Sequence, residues 1–204
     1  PAVAATIEAI EAASGGITVL VNNAAVLRDQ ALAVSGLLSQ RIGGPPVKTY
    51  QPAGVWEEAT FGTKRYEQDH GESLYRRSMY TFWRRIVAPT IFFDTASRQA
   101  CTVKQTRTNT PLHALQILND VTYLEAARAL AEQMLATAGQ PEDVVQAEDR
   151  TTEKRVGWLY RTTLLREPSA AELQILVAAY TRLKGEFAAD PQAAEQLLKA
   201  GEHA

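Results

Sequence analysis

The chain has 204 residues, 46% of them hydrophobic, with only 12 glycines and 9 prolines; that is enough apolar content for one or two domains with a proper core and excludes a disordered chain. A formal net charge of −2 excludes a broadly basic nucleic-acid binder. The single cysteine, Cys101, permits no internal disulfide, no thiolate-rich zinc site and no CxxCH haem attachment, and no apolar run is long enough to span a membrane.

In chain order, residues 2–13 carry an alanine-rich helical pattern that Gly15 and Gly16 stop, and residues 17–21 are a continuous β-branched run of the kind found in buried strands. Leu27 to Leu38 has amphipathic spacing. Gly43, Gly44, Pro45 and Pro46 then impose a break, followed by a polar loop to about Glu72. Tyr75, Met79, Phe82, Trp83 and Ile86 recur at helical spacing, which predicts a helix ended before Pro89. Thr110 before Pro111 reads as N-cap and first helical residue of a short helix ending near Asn119. Asp120 or Thr122 caps the next, with Tyr123, Ala127, Leu130, Met134 and Leu135 as its expected buried side until Gly139 and Pro141 stop it. An acidic loop to Asp149 precedes a helix over about residues 151–166. Ser169 with Glu172 forms a capping box for the following helix, whose expected core stripe is Leu173, Leu176, Val177, Tyr180 and Leu183, and Asp190 with Pro191 starts the last. The fold expected is mainly α, an irregular helical domain with long ordered loops, preceded by a short helix-strand segment at residues 1–27.

Charge is distributed unevenly along this plan. Between Tyr75 and Thr108 stand seven cations, Arg76, Arg77, Arg84, Arg85, Arg98, Lys104 and Arg107, against the single anion Asp94, whereas from Asn109 onward acids outnumber bases fourteen to nine. Arginines interleaved with Tyr75, Tyr80, Phe82 and Trp83 superficially suit stacking on nucleic-acid bases, but an amphipathic helix with arginines on its rim gives the same pattern. With acidic helices following, internal salt links are the preferred reading, and no nucleic-acid partner is expected.

Asp94, Arg98, Cys101, Arg107, Thr108 and Asn109 crowd into sixteen positions where helical periodicity lapses. One reading is a pocket in which Arg98, Arg107, Asn109 and Trp83 bind an anionic or carbohydrate ligand, with Asp94 as the candidate acid or base. The other is structural: Asp94 and Arg98 pair at i, i+4, Arg107 ties the loop to helix-end carbonyls, and Thr108 to Thr110 cap the next helix. Structure alone accounts for the cluster, so that reading is preferred. Cys101 lacks a credible base among His70, His113 and His203 and reads as an inert buried thiol. The histidines have no metal-ligand spacing, and no metal site is expected.

The blocks RDQALAVSGLLSQRIGGPPVKTYQP with Trp56, YRRSMYTFWRR, FDTASRQACTVKQTRTNTPLHALQILNDVTYLEAARALAEQML, REPSAAE and LLKAGE together resemble a bacterial domain of unknown function, number 1553, typical of planctomycetes and often joined to a c-type cytochrome domain. The resemblance runs from about Arg28 to Glu202. This chain departs from the usual pattern at Gln99 (often Glu), His113 (often Gln) and Val121 (often Pro), which makes those positions poor candidates for a shared catalytic role. That kinship implies a module of a larger extracytoplasmic protein, periplasmic or secreted, working beside a cytochrome c domain, with any haem held by that neighbour and no cofactor in this chain. It settles neither reaction nor substrate. Because the chain opens at Pro1 and stops at GEHA, where relatives continue, it is expected to be a fragment truncated at its C-terminal end.

The end of the first segment, ITVLVNNAAV, resembles the strand and NNAG turn of short-chain dehydrogenases, with Ala25 where that family has Gly. Neither the glycine-rich dinucleotide loop nor its strand accompanies it. Tyr180 and Lys184 form a YxxxK far from that turn and read as ordinary packing. Three functional hypotheses are therefore carried: a binding module, a hydrolase using Asp94, and a fragment of a short-chain dehydrogenase.

Overall fold

The computed structural model describes residues 23–82, 111–137 and 147–203. Among these, regular structure is helical: α1 (Asn23–Val34), α2 (Val55–Ala59), α3 (Pro111–Asn119), α4 (Val121–Thr137), α5 (Ala147–Leu164), α6 (Ala170–Ala189) and α7 (Pro191–Leu198), with 3-10 turns at Gly71–Tyr75 and Ser78–Tyr80. The chain is mainly α, as its periodicity implies. One isolated parallel bridge, Val47 to Thr81, ties the loop after α1 to the second 3-10 turn.

Helix α1 buries Arg28 and Leu32, which at i and i+4 share one face, and Ser35, just past its end, is buried in line with them. That face packs on α4, while Leu32 meets Leu74 and Tyr75 in a core flanked by Leu37, Leu38 and Tyr50. Gly36 ends the helix at φ 74°, the left-handed conformation a C-terminal cap requires, and a Cβ there would lie 2.9 Å from the Gln133 amide. The same amide donates to the Ser35 carbonyl at 2.6 Å, so α4 itself satisfies the end of α1. Asn23 to Val26 form the first turn of α1 rather than a strand-to-turn corner, because Ala24 and Ala25 favour helix. The strand expected over residues 17–21 lies outside the described residues.

The helix expected from Tyr75 onward does not form over its described part. Arg76 has ψ 155° and Arg77 ψ 141°, which splits the stretch into two 3-10 turns and an extended exit at Thr81. The reason is competition for backbone groups. The carbonyls of Leu74 and Arg76, which a helix would need as acceptors, are taken by the Arg28 guanidinium at 2.6 and 2.8 Å, and the Ser78 N–H goes to Asp29 Oδ1 at 2.8 Å.

Asp120 caps α4 through Oδ1, which accepts from the Thr122 N–H at 2.9 Å. The face α4 buries is Thr122, Glu125, Ala126, Ala129 and Met134; of the residues expected there, only Met134 is buried, and Ala127 and Leu135 are exposed. The polar Thr122 and Glu125 share this stripe with the small Ala126 and Ala129. Helices α5, α6 and α7 follow as an arm, each packed on the one before it. Its caps match the sequence: Ser169 Oγ accepts the Glu172 N–H at 3.3 Å while Glu172 Oε2 accepts the Ser169 N–H at 2.9 Å, and Asp190 Oδ1 accepts the Ala193 N–H at 3.0 Å ahead of Pro191 at the first helical turn. The stripe on α6 is another correction. Leu176 and Leu183 are exposed and no residue of α6 is buried; among the described residues it packs on α5 and α7.

Candidate functional site

Two fully buried ionisable side chains organise the described residues. Arg28, with no solvent exposure, donates to the carbonyls of Leu74 and Arg76 and, at 3.2 Å, to Ser78 Oγ, and lies 3.6 Å from Asp29 Oδ1. Burial holds its pKa below the ordinary arginine value, opposed by the charge of Asp29. Asp29 accepts from both the N–H and the hydroxyl of Ser78, at 2.8 and 2.6 Å, yet desolvation raises its carboxyl above the usual range. Desolvation likewise raises Asp120, and it raises Tyr123, whose phenol is buried without a hydrogen-bond partner.

Across α4 stands Glu125, also with no exposure. Its Oε1 accepts from the phenols of Tyr50 and Tyr75, each at 3.1 Å, and from the N–H groups of Glu202 and His203 at 2.5 and 2.9 Å. Desolvation first and the Glu125 charge second push the Tyr75 phenol up to about 12 and raise Tyr50 still further, so both stay protonated donors. The Glu202 carboxylate in turn receives the Gly71 N–H at 3.1 Å and Gln68 Nε2 at 3.3 Å, and lies 2.5 Å from His70 Nδ1. Those bonds, that from Gly71 foremost, hold its pKa below the usual carboxylate range.

Arg76 completes the frame. It is buried and donates to the carbonyls of Pro45, at 3.1 Å, and Gly43, while its guanidinium lies 4.0 Å from the Tyr80 ring centroid. The Gly43 N–H donates back to the Tyr80 hydroxyl at 2.8 Å, which wraps the glycine–proline break around this cation. The salt links expected for the arginines thus give way, at Arg76, to carbonyl and ring contacts.

These buried groups are turned inward onto one another and onto backbone groups of the described residues. A groove of about 470 Å³ does lie between α5 and the start of α6, lined by Glu153, Lys154, Arg161, Glu167 and Leu173, but it is open and of mixed charge, with Arg161 paired to Glu167 at 3.3 Å. No cluster of three or more His, Cys, Asp or Glu among the described residues could hold a metal ion.

The residues singled out by sequence, Trp83, Asp94, Arg98, Cys101, Arg107, Thr108 and Asn109, all lie outside the described residues. What the structure supplies is the setting of that stretch. Before it, Phe82 donates its N–H to the Val47 carbonyl at 2.6 Å and stacks on buried Trp56 at 5.8 Å; after it, Pro111 opens α3, which packs on α4. Tyr180 is half-buried on α6 and Lys184 exposed. Sequence reasoning passed over Arg28 and Glu125. The available signal was a charged residue on the stripe of small and apolar residues that each helix buries.

A family model described as a protein of unknown function (DUF1553) matches residues 20–180. The chain belongs to that family. The match takes in α1 to α4, α5 and the start of α6, and so includes Arg28, Arg76 and Glu125 as well as the cationic stretch before Pro111. No curated protein and no solved structure matches this DUF1553 chain.

Proposed function

We propose that this chain is a helical binding module of a larger extracytoplasmic bacterial protein that also carries a cytochrome c domain, and that it takes an anionic or carbohydrate ligand through Arg98, Arg107, Asn109 and Trp83. The observation that carries the reading is a contrast in how cations are used. Arg28 and Arg76 are buried and committed to backbone carbonyls, which spends them on the frame. Between Phe82 and Pro111 the sequence has Arg84, Arg85, Arg98, Lys104 and Arg107 against Asp94 alone, and both flanks are anchored to that frame. A cationic stretch strung between rigid supports suits recognition of sulfate, phosphate or carboxylate, with the indole offering a face to a sugar ring. The cytochrome c association and the location outside the cytoplasm are what the resemblance of the sequence blocks implies. No described helix is long and apolar enough to cross a membrane.

The test is titration of the purified chain with a sulfated oligosaccharide at several salt concentrations. A binding isotherm that weakens steeply with salt supports the proposal, and no heat or retention at low salt contradicts it. Hydrolysis of such a ligand, abolished by Asp94→Asn with the far-UV spectrum unchanged, would replace the binding reading with catalysis.

A further inference from the structure

We propose that residues 199–203 form a releasable strap, a polar clasp that holds the α5–α7 arm closed over Glu125 and can open without unfolding the core. Its independence from the ligand reading is complete, since none of its groups belongs to the cationic stretch. Helices α6 and α7 contribute no buried residue, so little apolar contact commits the far end of the arm to the body. What fastens it is a set of hydrogen bonds. Arg128 Nη1 donates to the Leu198 carbonyl and, at 3.2 Å, to that of Ala200; the N–H groups of Glu202 and His203 meet Glu125; and the Glu202 carboxylate seats on Gly71, Gln68 and His70.

Two further features mark the clasp as poised rather than inert. Gly201 sits at φ 85°, and a Cβ there would overlap the Glu125 carboxylate, so the closed geometry depends on the absence of a side chain at one position. Glu125 Oε2 is fully buried with no hydrogen-bond partner, a cost carried only while the strap is shut. Apolar surfaces fasten folds in an all-or-none way, whereas bonds to backbone N–H groups can be exchanged for water one segment at a time. Opening would uncover Glu125, Tyr50 and Tyr75 together, turning an internal acceptor flanked by two phenols into an accessible one.

The experiment is hydrogen–deuterium exchange with peptide resolution on the full chain and on two variants. Gly201→Ala obstructs seating of the strap, and Glu202→Gln removes the charge that Gly71, Gln68 and His70 hold. The expected result is exchange at least about tenfold faster in peptides covering residues 68–71 and 199–203, as loss of one or two net hydrogen bonds implies, with peptides from α1 and α4 unchanged. Equal acceleration across α1, α4 and the strap would make the strap an inseparable part of the core, and native exchange in both variants would show that the clasp fastens nothing; either overturns the proposal.

Discussion

Replacing Arg28 by methionine should destabilise the protein by about 4 kcal/mol. The replacement keeps an unbranched apolar stem in the space between α1, α4 and the 3-10 turns, so loss of packing volume contributes little. What is lost is three donated bonds, to the Leu74 and Arg76 carbonyls at 2.6 and 2.8 Å and to Ser78 Oγ at 3.2 Å. Bonds from a charged donor contribute about 1.5 to 3 kcal/mol each, and a buried carbonyl left without a partner costs about 1 to 3 kcal/mol. Against this stands relief of the desolvation that lowers the Arg28 pKa, which returns part of the loss and brings the sum to the range of about 3 to 5 kcal/mol typical of removing one member of a buried ionic network. With m near 2 kcal/mol/M in urea, the unfolding midpoint should fall by about 2 M. Arg28→Lys should fall between, since one ammonium cannot reach both carbonyls in the geometry of a guanidinium. A shift below about 1 kcal/mol for the methionine variant would refute the reasoning, because the turn carbonyls would then have other partners.

Other expectations follow from single contacts. Ser169→Ala removes the Oγ acceptor of the capping box and should cost about 1 kcal/mol, read as a small loss in thermal midpoint with unchanged m-value. Trp56→Ala should cost about 3 to 5 kcal/mol by chemical denaturation, since the indole is buried, stacks on Phe82 at 5.8 Å and meets the tilted ring of Tyr66 at 5.3 Å. Stability should respond to acid in two opposite ways. Glu202 has a depressed folded pKa, so its contribution is present above the unfolded carboxylate value and disappears as pH falls through the folded one; Glu202→Gln should therefore be less stable than the native chain at pH 7 and equal to it at the acid end of a urea series. Asp29 and Asp120 have raised folded values, so their ionisation opposes folding above those values and protonation on acidification relieves it. The Asn variant of Asp29 should lack that relief, measurable as a steeper loss of stability on the acid side.

What the sequence discloses is what neighbours in sequence decide. Ser169 with Glu172, Asp190 with Pro191, and Pro111 each act within one helical turn, and each marks a boundary the structure has, whereas Gly36, which stops α1 short of the expected Leu38, goes unread. Arg28 and Glu125 show locally only as charged residues on a stripe of small and apolar ones, because the groups they hydrogen-bond lie 46 to 78 residues away. The stretch after Tyr75 shows how such a distant partner can cancel a local pattern: the spacing of Tyr75, Met79 and Phe82 is helical, but a guanidinium from α1 holds the carbonyls a helix would use. On α4 the apolar spacing favoured Leu130 and Leu135, whereas the buried stripe runs through Ala126 and Ala129 and includes Glu125, which Tyr50, Tyr75, Glu202 and His203 hold. On α6 a well-formed stripe stays largely exposed, since periodicity reports a capacity for burial and only the neighbouring elements decide whether it is used. The cationic stretch is legible as charge and spacing, and the proposal that it binds a ligand rests on those and on the anchored flanks beside it.

The central claim is that the buried charges build a frame and the cations between Phe82 and Pro111 face a ligand. The measurement that tests it most directly is a titration of the double variant Arg98→Ala/Arg107→Ala with a sulfated oligosaccharide, run beside its urea unfolding curve. A native unfolding midpoint, with affinity reduced at least about tenfold and a shallower dependence on salt, is the predicted result. Native affinity, or a midpoint as low as that of the Arg28 variant, would contradict the account by assigning those two arginines to the frame.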